Sequence, residues 1–215
     1  MAKKKKKTEE VVKRDLWKEV KEGFRKYFAD FGTAVNKGDW GTRASLIVMG
    51  AGFMARKQYA KGILITLVQI MYFIVFAIYS LPYLAKFGTL GTVKMEQTFD
   101  PITMQQTTNN YDNSFLILIH SMISIFLLVV FVMYYIHNMK AAYQLEKDAW
   151  IGKHVNNILE DIADMVGKKF YITLLTLPTI GIVLMNILPI LVLIAIAFTN
   201  YDQNHMQPAA LFTWV

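Results

Sequence analysis

The sequence predicts an all-α integral membrane protein with three transmembrane helices, preceded by an amphipathic helix and a short interfacial helix. Three observations support this fold class. Of the 215 residues, 54% are hydrophobic, and the mean hydropathy is positive at +0.32. The apolar residues are concentrated in three long uncharged blocks, as in membrane proteins. Sixteen of the 23 Lys and Arg residues precede the first block.

The predicted spans cover residues 63–85, 114–136 and 170–199. Each is long enough to cross about 30 Å of hydrocarbon at about 1.5 Å per residue. The third block is longer than a perpendicular helix requires. Pro178 and Pro189 in this block predict kinks, because proline removes a backbone donor and crowds the preceding turn.

Residues 1–61 are predicted to form a basic cytoplasmic head. Its lysine-rich first ten residues are expected to be disordered. An apolar residue then recurs every fourth position and predicts an amphipathic helix; this stripe consists of Val12, Leu16, Val20, Phe24 and Phe28. Such a helix suits either the inner leaflet or a partner's cytoplasmic domain. Residues 44–55 are apolar but too short to span, which predicts an interfacial or re-entrant helix.

Basic residues also predict the orientation. The segment 86–113 contains two Lys or Arg residues, the segment 137–169 contains five, and the segment 200–215 contains none. The positive-inside rule therefore places the head and residues 137–169 in the cytoplasm. Residues 86–113 become an external loop, and 200–215 begin an external segment with residue 215 outside. The apolar periodicity of 137–169 predicts a helical loop, whose acidic face is either solvated or a docking surface.

Several polar residues lie within the predicted spans, where an unpaired polar group is costly. Gln69 and His120 are candidates for hydrogen bonding between helices. For His120, a role in binding a proton or substrate is the alternative. Asn186 lies between the two prolines and is placed to satisfy a carbonyl freed by Pro189. Pro178, Asn186 and Pro189 are therefore candidates for a helix kink or a transport pathway.

The sequence contains no pattern of catalytic, cofactor-binding or metal-binding residues. It has no Cys and only four His. His137 and His154 lie seventeen residues apart, with no carboxylate at metal-ligand spacing. The chain is therefore predicted not to be an enzyme, with no cofactor and no metal. The basic residues are placed for anionic lipid rather than for nucleic acid.

Two short motifs resemble a known family. One is the stretch KQYAKG before the first span, with Lys57, Gln58, Tyr59, Lys61 and Gly62; the other is FTNYD, with Phe198, Thr199, Asn200, Tyr201 and Asp202. Together with the long proline-containing third span, they resemble binding-protein-dependent ABC sugar permeases, of the maltose/maltodextrin type found in Gram-positive bacteria.

This resemblance implies a permease subunit of an importer for malto-oligosaccharide-like sugars in a bacterial cell membrane. It implies as partners a second permease subunit, a cytoplasmic pair of ATPase subunits and an extracellular sugar-binding protein. The family's cytoplasmic loop beginning Glu-Ala-Ala is absent, so the chain is expected to be the N-terminal part of a larger permease. The alternative is a membrane scaffold or anchor that recruits a partner to the inner leaflet.

Overall fold

The computed structural model describes residues 2–102, 104–202, 205 and 211–215, without the side chains of residues 2–15 and Leu177. The helices are α1 Ala2–Lys37, α2 Trp40–Ala44, α3 Ala51–Met54, α4 Tyr59–Val75, α5 Leu81–Phe87, α6 Ser114–Trp150, α7 Ile158–Val166, α8 Phe170–Ile182 and α9 Leu188–Ile196. Two π-helical segments, Phe76–Ser80 and Val183–Ile187, join α4 to α5 and α8 to α9. The two strands are β1 Gln97–Asp100 and β2 Gln105–Thr108.

Three continuous helices are long and apolar enough to cross a membrane. They are Tyr59–Phe87, Ser114–Trp150 and Phe170–Ile196, with 29, 37 and 27 residues. Each includes most of one predicted span, so the predicted mostly helical membrane fold is confirmed. The second helix continues beyond its apolar part to Trp150 and supplies the first half of the predicted helical loop, while α7 supplies the second.

Both π-helical segments end two residues before a proline. Phe76–Ser80 precedes Pro82, and Val183–Ile187 precedes Pro189. A proline ring clashes with the carbonyl four residues earlier in a regular α-helix. The wider π turn moves that carbonyl away, and π segments are a recognised cause of helix bending. Pro178 lies inside α8. The kinks themselves stay predictions.

The connecting segments differ from the expectations in three details. The lysine-rich start is helical from Ala2 rather than disordered, because Lys and Glu have high helix propensity and continue an established helix. The predicted interfacial helix over 44–55 is shorter than expected: Ala44 ends α2, Ala51–Met54 form α3, and most of the other residues form turns. The predicted external loop contains a hairpin that the sequence did not predict, in which Gln97 pairs with Thr108 and Asp100 with Gln105.

The backbone contacts divide the chain into two compact units. The first consists of residues 1–69 and 133–158, and the second consists of 70–132 and 159–215. The second unit has an apolar cluster that consists of Leu90, Ile117, Leu118, Val192, Ala195 and Phe212. The buried apolar residues of the first unit are Ala34, Met49, Ile136, Met139, Ala142 and Leu145.

A close backbone approach in the first unit requires glycine. A Cβ atom on Gly50 would lie 1.9 Å from the carbonyl oxygen of Gly62 in the first turns of α4. A Cβ atom on Gly62 would in turn lie 2.4 Å from Cγ of Met54. The segment that precedes α4 therefore folds back against the start of the first span, and only residues without a side chain allow this contact.

We expect Gly50→Ala to destabilise the protein by about 1–3 kcal/mol, because the added methyl group meets backbone that cannot rotate away. Gly23→Ala is the matched control, since a Cβ on Gly23 meets nothing within 4 Å and alanine is favoured in a helix. Thermal unfolding of both variants in detergent micelles measures the difference. Equal unfolding midpoints for the two variants would contradict the close approach.

Candidate functional site

The segment before the first span contributes a polar site in the first unit. We call residues 39–58 the docked turn. Between α2 and α3 its backbone is not helical. Several amides, among them those of Leu46, Ile47 and Val48, bond to carbonyls three or four residues earlier, and other peptide groups of this segment require side-chain partners. These partners are side chains of the two span helices in the same unit, α4 and α6.

Gln69 of α4 makes two hydrogen bonds to the docked turn. Its Nε2 donates to the carbonyl of Ile47, and its Oε1 accepts from the amide of Met49, both at 2.9 Å. The Gln69 side chain is buried. The structure therefore places this predicted packing residue against the turn rather than against another span.

α6 supplies two further partners. The Tyr135 hydroxyl donates to the carbonyl of Leu46 at 2.9 Å, and Asn138 Nδ2 donates to the carbonyl of Met49 at 2.6 Å. Within the turn, Ser45 Oγ accepts from the amide of Gly52 at 2.7 Å. Backbone groups without a helical partner require hydrogen bonds from other protein groups. The side chains of Tyr135, Asn138 and Ser45 supply these hydrogen bonds.

A charged cluster holds the two ends of the docked turn together. Arg56 Nη2 lies 2.8 Å from Asp39 Oδ1 and 3.3 Å from Glu146 Oε2 of α6. Thr42 Oγ1 donates to Glu146 Oε2 at 2.7 Å. Asp39 Oδ1 also accepts from the amide of Thr42 at 2.7 Å and caps α2. One guanidinium thus joins two carboxylates that come from different parts of the chain.

The cluster changes the acidity of Asp39. Burial alone would raise the pKa of this carboxyl group, but the Thr42 amide and the Arg56 guanidinium favour its ionised form and lower the pKa below its ordinary value. The ionised Asp39 carboxylate therefore stabilises the fold at pH values above the ordinary pKa of Asp. This stabilisation is lost as the pH falls through the lowered pKa of Asp39. Sequence reasoning missed Asp39 and Glu146, because 107 residues separate these two residues and no local motif links them.

The motif KQYAKG lies at the end of the docked turn and the start of α4. Gln58 Nε2 donates to the carbonyl of Asn156 at 3.2 Å, and Lys61 Nζ donates to the same carbonyl. Lys57 adopts a positive φ of 62°, and Tyr59 is exposed. Gln58, Lys61 and Gly62 thus contact other parts of the unit, and any role in transport stays a prediction.

In the second unit, His120 lies in an aromatic cluster. Its Nδ1 is 2.6 Å from the Tyr79 hydroxyl, and its ring centroid is 4.5 Å from that of Tyr83. Ser121 Oγ donates to the carbonyl of Tyr83 at 2.9 Å. No group of three or more metal-binding side chains occurs among the residues that the structure describes. The arrangement suits helix packing, and neither predicted role of His120 is tested.

The FTNYD motif ends the third span and pairs with residues near the carboxyl end of the chain. Thr199 and Trp214 form an antiparallel bridge, and Asn200 Oδ1 accepts from the amide of Thr213 at 2.7 Å. Trp214 Nε1 donates to the carbonyl of Phe87 at 2.8 Å. Trp214 thereby connects the end of the third span to the end of the first. The carbonyl of Phe198 shares this pairing and accepts from the amide of Val215 at 3.0 Å, although its side chain is exposed. Tyr201 packs on Phe212, and Asp202 contacts His205.

The remaining predicted residues lie in the third span. Asn186 is exposed within the π-helical segment Val183–Ile187. In the part of the chain that the structure describes, no hydrogen bond joins its side chain to a carbonyl freed by Pro189. The part of Pro178, Asn186 and Pro189 in a pathway stays a prediction.

We expect Arg56→Met to destabilise the protein by about 3–5 kcal/mol, because it leaves two carboxylates close together without their cation. Lys153→Met is the matched control: Lys153 Nζ lies 3.8 Å from Asp148 and is exposed, and such surface pairs contribute little. Thermal unfolding of both variants in micelles at neutral pH measures the difference in stability. A loss of stability in Lys153→Met as large as that in Arg56→Met would contradict the stabilising role of the cluster.

Comparison with known proteins relates the chain to transport systems. Over 170 residues, or 79% of the chain, it is 29% identical to the maltodextrin transport system permease protein MalC of Streptococcus pneumoniae. It has the same identity over the same length to the maltodextrin transport system permease protein MdxF of Bacillus subtilis. It is 28% identical to the galactooligosaccharides transport system permease protein GanP of that species.

The chain spans about 36% of the length of the curated relatives it matches. No family model and no solved structure matches it. Permease subunits are not enzymes, which supports the prediction that the chain is not one. The chain is distantly homologous to the sugar permeases of ABC transporters from Gram-positive bacteria.

Proposed function

We propose that this chain forms part of the translocation pathway of an ABC importer for malto-oligosaccharide-like sugars. The observation that carries the proposal is the similarity over 170 residues to permease proteins of maltodextrin transport systems. The relative named for galactooligosaccharides makes this second class of sugar the nearest alternative substrate.

The proposal includes the partners that such an importer needs. They are a second permease subunit, a cytoplasmic pair of ATPase subunits and an extracellular sugar-binding protein. The orientation predicted from the basic residues is part of the proposal: residues 1–61 and 137–169 face the ATPase, and the loop 86–113 faces the binding protein.

The third span has a feature that suits a polar pathway. A π-helical turn leaves backbone carbonyls less tightly paired than a regular α-helix does. In the segment Val183–Ile187 such a turn carries the exposed amide of Asn186. Broken or widened helices of this kind line substrate sites in other transporters. We propose that Asn186 faces the pathway in the assembled importer.

A second candidate function is a membrane scaffold that recruits a partner. The exposed apolar stripe of α1 and its basic flanks favour this alternative, since they need no transport activity. The two functions differ in whether sugar uptake depends on the chain.

Deletion of the gene in its native host tests the proposal. We expect uptake of radiolabelled maltotetraose to be lost and to return with the wild-type gene.

A gene that carries Pro189→Ala should restore membrane insertion of the chain but only part of the uptake, because the substitution removes the cause of the π-helical turn. Pro101→Ala in the hairpin turn is the control and should restore uptake fully. Unchanged uptake of maltotetraose and of galactooligosaccharides after deletion would contradict the proposal and favour the scaffold.

A further inference from the structure

One face of α1 exposes a row of large apolar side chains. Leu16, Val20, Phe24 and Phe28 recur every fourth residue, and Trp17 lies beside them; each is at least half exposed, with 76% for Trp17. Val12, the first residue of the predicted stripe, lies outside the described side chains. An exposed row of this kind marks an interaction site rather than a random surface.

Contacts with α6 fix the level of this row relative to the membrane. The Tyr27 hydroxyl donates to the carbonyl of Met133 at 3.1 Å. The ring centroids of Phe31 and Tyr135 are 6.3 Å apart. Met133 lies three residues before the end of the apolar run of the second span at Ile136. α1 is therefore attached where this span leaves the hydrocarbon.

A second contact strengthens the attachment. Lys140 Nζ lies 4.2 Å from the centroid of the Tyr27 ring and 3.3 Å from Asp30 Oδ2. A lysine three to four residues beyond the apolar run is at the depth where side chains of this type meet lipid headgroups. The same lysine thus connects α1 to the membrane boundary.

Charge indicates what covers the row. At about 100° per residue, Lys21 and Arg25 follow Phe28 around the helix. Glu19 and Lys26 lie beyond the other edge of the row. Residues 2–15 add seven Lys or Arg against three acidic residues. Basic residues beside an apolar face favour a surface that is both apolar and anionic, which is the headgroup region of an acidic bilayer.

We infer that residues 16–28 of α1 lie flat on an anionic leaflet, on the predicted cytoplasmic side, with the row in the acyl boundary. The charged face of α1 cannot enter the hydrocarbon, so the helix cannot continue into the bilayer from its attachment at Tyr27. A flat orientation buries the row and leaves Glu19 and Glu22 in water. This inference does not depend on sugar transport, so the two proposals fail separately.

The natural absence of Cys allows a direct test on the full chain. Val20→Cys places a polarity-sensitive nitrobenzoxadiazole dye on the row, and Glu22→Cys places the same dye on the opposite face. The labelled proteins are reconstituted into vesicles of phosphatidylcholine with or without phosphatidylglycerol. In vesicles with phosphatidylglycerol, we expect blue-shifted emission at position 20, quenched by lipids carrying a shallow doxyl group, and water-like emission at position 22.

A charge variant completes the test. Replacement of Lys18, Lys21 and Arg25 by Gln should lower the ratio of bound to free helix on the order of 100-fold, at about fivefold for each cation. A dye at position 20 that stays in water with phosphatidylglycerol present would overturn the inference. So would a blue shift that doxyl lipids do not quench and that is equal in both kinds of vesicle, because it would show that protein covers the row.

Discussion

The first unit depends on side chains of the span helices α4 and α6, which pair backbone groups of the turn between α2 and α3 that lack a backbone partner. Gln69, Tyr135 and Asn138 together satisfy the carbonyls of Leu46, Ile47 and Met49 and the amide of Met49. A peptide group left unpaired in this position would cost several times what a typical hydrogen bond contributes. These polar side chains therefore allow the turn to pack against α4 and α6 with these backbone groups paired.

The other contacts of the unit extend from this turn. The glycines at positions 50 and 62 bring it against α4, and Arg56 joins its two ends to Glu146 of α6. Gln58 and Lys61 then bind the carbonyl of Asn156 in the segment that follows α6. The contacts with Glu146 and Asn156 connect this region to parts of the chain that are distant in sequence. Backbone pairs such as Thr199 with Trp214 have a similar effect within the second unit.

The features that depend on a local sequence pattern could be predicted from the sequence. The three apolar blocks predicted the long helices, since about 20 uncharged residues suffice to identify a span. The partners of Gln69 and the cluster around Arg56 could not be predicted, because they join residues 20 and 90 positions apart without a shared motif. The hairpin was missed because each of its strands has four residues. Its signal, Thr and Phe around an Asp-Pro turn, is weak at that length.

Hydrogen–deuterium exchange at the amide of Met49 tests the central claim most directly. The amide is bonded to Gln69 Oε1, so we expect slow exchange in the wild-type chain in micelles and fast exchange in Gln69→Leu. Gln144→Leu, which removes an exposed contact to Asp148 within α6, should leave the Met49 amide protected. Fast exchange at Met49 in the wild-type protein, or equal protection in Gln69→Leu, would contradict the account.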